Sequence, residues 1–124
     1  MSRKFAFVVL TAALLSTAAP AHAQKVGPNG GMLGGTGSHQ AELVVAPEQL
    51  TVYLLEDGKP HESKGASFRV VVQQEGKATT IPLTDDGGKR LIAKLPAPLA
   101  KGAIVVLTGK DHHGDQFSAR YVVN

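Results

Sequence analysis

The sequence predicts an all-β protein, a single antiparallel β-sandwich of immunoglobulin-like type with seven or eight strands. Three observations carry that reading. Short apolar and β-branched runs recur about every ten residues from His39 onward, each closed by turn residues. No stretch keeps a convincing helical period. A chain of 124 residues also has room for one core, and stacking two sheets hides the apolar face that each would otherwise expose.

The chain divides into three parts. Residues 1–23 have the form of a secretory signal: basic Arg3 and Lys4, an apolar run from Phe5 to Leu15, and Ala21-His22-Ala23 as a small-x-small cleavage site. That run is too short to span a bilayer, and nothing downstream approaches the required length, so no membrane insertion is expected after cleavage. Residues 24–37 are dominated by glycine, which predicts a loop or an irregular first strand. Residues 38–124 form the predicted domain.

Within that domain, His39–Ala46 and Gln49–Leu55 flank a Pro47-Glu48 break and should pair, with Leu50, Val52 and Leu54 facing inward. Asp57-Gly58 supplies the positive φ of a tight turn, and Pro60 cannot donate a ladder hydrogen bond. Ala66–Gln74 points Phe68, Val70 and Val72 to one face, and Lys77–Leu83 returns after Glu75-Gly76 with Thr79, Ile81 and Leu83 in step. Asp85-Asp86-Gly87-Gly88 is the next turn, and Lys89–Leu95 follows with Leu91, Ala93 and Leu95 inward. Pro96-Ala97-Pro98 enforces an extended crossing to Ala103–Thr108. The final hairpin turns through Lys110–Asp115 into a strand whose inner face is Phe117, Ala119, Tyr121 and Val123.

Composition removes several functions. Without its leader the chain carries 11 Lys+Arg against 10 Asp+Glu, four aromatic residues and no basic cluster, which excludes a nucleic-acid binder. There is no cysteine, hence no disulfide, no thiolate metal site and no lipidated cysteine. No serine lies in a G-x-S-x-G elbow, and adjacent Ser38 and His39 point to opposite faces of a strand, so no enzyme is expected. Asp85 and Asp86 read as turn formers. The Gly30–Gly37 stretch lacks the lysine and the following helix of a phosphate-binding loop, and its glycines read as bulges and close approaches at a sheet edge.

Transition-metal binding is the chemistry left standing. Four histidines follow position 23, and neutral imidazole ligates copper, zinc or nickel. A turn is not bound by strand alternation, so His112 and His113 can point the same way; the competing reading is an exposed polar turn. His39 shares parity with Ala41, Leu43 and Val45 and belongs at the core rim, with Glu42 and Met32 near in sequence. His39, His112 and His113 are therefore the expected ligands, while His61, between charged neighbours, reads as solvated. Such a site weakens as pH falls through about 6.5.

Gly27-Pro28-Asn29-Gly30-Gly31-Met32-Leu33, then Gly37–Val44 with Glu42, then Leu50–Leu54, resembles a G-P-x-G-G-x-(V/L)…G-x-x-x-x-E-(L/V) pattern. That pattern occurs in small exported Gram-negative proteins and near the start of periplasmic adaptor subunits of heavy-metal efflux systems. The resemblance runs from Gly27 to about Pro60. It implies a periplasmic β-sandwich associated with copper, nickel, cobalt or zinc handling, with an efflux or other periplasmic protein as partner. Asn29 and Gln40 stand where some relatives carry histidine, and the barrel, lipoyl and hairpin parts of an adaptor are missing. The competing expectation is a structural or interaction module that binds no metal and offers its sheet edge or glycine-rich loop to a protein.

Overall fold

The computed structural model describes residues 24–124; the predicted signal segment, 1–23, lies outside the described residues. All regular structure among the described residues is β-strand: β1 Met32–Thr36, β2 His39–Val45, β3 Gln49–Glu56, β4 Lys59–Pro60, β5 Ser67–Gln74, β6 Lys77–Pro82, β7 Thr84–Asp86, β8 Arg90–Lys94, β9 Ile104–Lys110 and β10 Gln116–Val122. Every pairing is antiparallel. One sheet runs β1-β2-β3-β8-β7, with β4 also on β3, and the other runs β10-β9-β5-β6.

The described residues form ten strands where seven or eight were expected. The glycine-rich segment contributes β1, the chain after Asp57-Gly58 adds the two-residue β4, and β7 takes up Asp85 and Asp86, which had been expected to lie in the turn. The hairpins themselves follow turn chemistry. Asp57 and Gly58 have φ of 51° and 76°, and Glu75 and Gly76 have 52° and 73°, so each two-residue loop places both central residues at positive φ and matches the strand twist.

Alternation then sorts the side chains. Leu43, Leu50, Val52, Val70, Leu91, Val105, Leu107 and Tyr121 are buried, and one apolar core draws on the inward faces of both sheets. Thr79 departs from expectation. It is exposed, and Ile81 and Leu83 are only partly buried, because β6 is an edge strand. Tyr121 crosses from β10 to the first sheet, where its hydroxyl donates to Ala41 O at 2.6 Å. Gly34 pairs with Ala41, and a Cβ at Gly34 would stand 2.7 Å from Tyr121 Cζ, so glycine leaves room for the ring.

The second peculiarity is Glu42, fully buried although it points away from the core neighbours Ala41 and Leu43. The turn Gly27–Gly31 folds over it. Glu42 Oε2 accepts from Gly31 N at 2.7 Å and Asn29 N at 2.9 Å, and Oε1 accepts from Asn29 Nδ2 at 2.9 Å. A Cβ at Gly27 would overlap Glu42 Cδ, so the carboxylate as placed needs glycine there. The glycine string and the glutamate eleven residues after Gly31 are thus two halves of one latch that fastens β1 to the sheet. Gln24 then caps the free edge of β10, its side-chain amide donating to Arg120 O and accepting from Val122 N.

Candidate metal site

At one end of the two sheets, the core-facing side of β2 and β3 terminates in polar residues. His39 begins β2 and lies opposite Glu56, the last residue of β3, so the two side chains share a face. The tight turn Asp57-Gly58 then brings Lys59 and Pro60 back against Glu56 and Leu55. His61 consequently re-enters beside the end of β3, where its N–H donates to Leu54 O at 2.8 Å.

The His61 ring is oriented by its neighbour. Nδ1 lies 3.0 Å from Glu56 Oε2, and the side chain is 14% exposed. Nε2 is buried and has no hydrogen-bond partner. In the neutral imidazole a carboxylate on Nδ1 holds the proton there and leaves Nε2 as the acceptor, which is how protein carboxylates prepare histidines for metals.

His112 and His113 come from the loop between β9 and β10. Its base is Asp111, whose Oδ1 accepts from the N–H groups of His113 and Asp115, both at 2.9 Å. Two backbone bonds, Asp111 N to Asp115 O and Gly114 N to Asp111 O, close the same turn. Burial pushes the Asp111 carboxyl up, but the bonds from Asp115 and His113 and the charge of the two imidazoles outweigh it and hold it below its ordinary value. Asp111 therefore stays ionised and keeps the loop in one shape.

That shape gathers the three rings and stacks His112 on His61. The His112 centroid is 3.9 Å from that of His113 and 4.7 Å from that of His61, and the His61 to His113 separation is 5.9 Å. One nitrogen from each of the three lies within 4.8 Å of the others. An ion with Zn–N bonds of about 2.0–2.1 Å holds tetrahedral ligand nitrogens about 3.3 Å apart, so side-chain rotations closing at most about 1.5 Å would bring the three nitrogens to that spacing. Three imidazoles with no sulfur suit Cu(II), Zn(II) or Ni(II) better than Cu(I).

The three sequence-predicted ligands are thus divided. His112 and His113 are brought together, and His39 is not in their cluster, although it lines the same small recess as His61. His61, read as solvated, is a member. Its charged neighbours Glu62 and Lys64 suggested exposure, but the Asp57-Gly58 turn returns the chain to β3, and that turn was visible in the sequence. The two helpers expected for His39 are elsewhere. Glu42 is consumed by Asn29 and Gly31, and Met32 pairs with Leu43, four residues and about 13 Å along β2 from His39.

The remaining polar clusters are structural. Asp85 accepts from Ser63 Oγ and Gly88 N, and Asp86 accepts from Arg90 Nε at 2.7 Å, so both brace the Gly87-Gly88 turn from the end of β7 rather than from within it. Among the described residues no helix is long and apolar enough to cross a membrane. No family model, curated protein or solved structure matches the chain.

Proposed function

We propose that this is a non-enzymatic, exported periplasmic protein with an immunoglobulin-like β-sandwich fold, which binds one copper, zinc or nickel ion through His61, His112 and His113. One observation carries the reading: the buried, unpartnered Nε2 of His61, set by Glu56 beside two further imidazoles. A buried polar atom without a partner is costly, and an ion would satisfy it. The resemblance of Gly27–Pro60 to efflux adaptor segments supports a role in handling heavy metals for an efflux assembly. His112 and His113 are exposed, which favours an ion that can be passed on over one stored for structure.

The test is a titration of chelator-stripped, untagged protein with Cu(I), Cu(II), Zn(II) and Ni(II) under native mass spectrometry. One divalent ion per chain is expected, with His61→Ala and His112→Ala/His113→Ala abolishing uptake. No uptake tighter than about 10 μM, near −7 kcal/mol, would retire the metal in favour of a metal-free interaction module.

A further inference from the structure

The outward face of the four-stranded sheet gathers three cations that the sequence scatters. Inward core residues on β5, β9 and β10 alternate with outward ones, among them Arg69, Lys110 and Arg120, all exposed. The register sets Arg69 opposite Thr108 and Thr108 opposite Ser118, so Lys110 and Arg120 each stand two residues from that row. Arg69 and Lys110 are thereby diagonal neighbours about 7–8 Å apart. No carboxylate shares the face, whose other outward residues on β5, β6, β9 and β10 are serine, threonine, glutamine, valine, isoleucine, alanine and proline. Among the described residues, ion pairs join Glu56 to His61 and Asp86 to Arg90 and leave these three cations unpaired.

Resting on the metal reading above for its purpose but not for its test, we propose that this face docks an acidic loop of a partner protein beside the exposed imidazoles of His112 and His113. Ser67, Arg69, Thr108, Lys110, Gln116 and Ser118 line an open hollow of about 470 Å³. Its cations, hydroxyls and amide can all donate to carboxylates. Lys110 ends β9 and Gln116 begins β10, so the hollow borders the loop that carries two of the three proposed ligands. On the other sheet, by contrast, outward Glu42 is covered by the Gly27–Gly31 turn and Arg90 is held by Asp86. Apart from the three cations, residues 24–124 carry eight Lys+Arg against ten Asp+Glu, so the positive excess of the chain resides on this face and steers acidic partners to it. A membrane fits less well. The face presents no aromatic residue, and a few cations without an inserted apolar group anchor a protein only marginally.

The probe is a decaglutamate peptide, titrated at low salt into metal-free, isotope-labelled protein with amide chemical shifts as the readout. Shifts centred on Arg69, Thr108, Lys110 and Ser118 are expected, fading as added salt shortens the reach of the charges. Arg69→Glu/Lys110→Glu/Arg120→Glu should weaken binding by about 10-fold or more, while Lys89→Glu/Lys94→Glu/Lys101→Glu, an equal change in net charge, should weaken it by less than about 3-fold. Circular dichroism checks that both triples fold, and shift mapping on the wild type decides the location without either. No binding, shifts centred elsewhere, or equal losses in the two triples would overturn the proposal. Vesicles of equal parts phosphatidylcholine and phosphatidylglycerol that bind through these residues, where the peptide does not, would give the face to a membrane and overturn it too. Divalent-metal titration of the same protein separates the two readings: peptide binding without metal uptake retires the histidine site and keeps the docking face, and uptake without peptide binding does the reverse.

Discussion

Glu42→Gln tests how the glycine-rich segment is held, because it preserves shape and removes acceptors. The wild-type carboxylate presents two oxygens, and both are occupied: Oε2 by Gly31 N and Asn29 N, Oε1 by Asn29 Nδ2. A carboxamide has one oxygen, so whichever way it turns, an NH₂ group faces an N–H donor. At least one charge-assisted bond worth about 1.5–3 kcal/mol is lost, and a donor is set against a donor in a fully buried position. Solvent reaches exposed Asn29 and recovers part of the loss, which places the net cost at about 2–4 kcal/mol. For a domain of this size that lowers Tm by roughly 10–20 °C. Urea and thermal melts followed by circular dichroism measure it, and amide exchange at Asn29, Gly31 and Leu33 reports whether β1 detaches first. A Tm within about 2 °C of wild type, with unchanged exchange, would refute the latch.

Three further outcomes follow from the same contacts. Burial, and then the charge of Glu42, raise the Tyr121 pKa above its ordinary value. A raised pKa contributes stability that is intact below the unfolded value of about 10 and is lost as pH rises, by about 1.4 kcal/mol per unit. Tyr121→Phe should therefore cost about 1 kcal/mol at pH 8 and fall less steeply than wild type in urea melts above pH 10; parallel curves would contradict this. Gly34→Ala sets a methyl 2.7 Å from Tyr121 Cζ and should cost about 1–3 kcal/mol by urea midpoint, whereas a change under about 0.5 kcal/mol would show that the ring has slack. Glu56→Gln leaves all three proposed ligands in place but weakens the set of His61, so divalent metal affinity should drop about 10- to 100-fold in competition titrations. Equal affinity would deny Glu56 that role.

Most of the strand pattern was legible because period two is a local property. Leu50, Val52 and Leu54, or Phe68, Val70 and Val72, need no knowledge of their partners to be placed inward, and Asp57-Gly58 announces its turn. What failed depended on distant chain. Thr79 could be recognised as exposed only by knowing that β6 is an edge. Glu42 read as an auxiliary ligand because nothing local reveals that Asn29 and Gly31 fold over it.

The site shows the same division. His112 and His113 are neighbours in sequence and shared a turn, so their pairing was visible, and His39 was placed at the core rim by parity. His61 is separated from His112 by fifty-one residues, and their meeting depends on how the end of β3 packs against the β9–β10 loop. The local signal was the tight turn before it, which returns Pro60 to Leu55. Its charged neighbours gave the opposite impression because residues 62 and 64 leave the sheet that His61 rejoins.

A crystal of the protein loaded with Zn(II) or Cu(II), with anomalous data collected at the metal edge, would locate the ion without reference to affinity or spectra. An anomalous peak about 2.0–2.1 Å from one nitrogen each of His61, His112 and His113, with His61 bound through Nε2 and Nδ1 still on Glu56, is the expected result. A peak elsewhere on the chain, or none in crystals grown at saturating metal, would contradict it.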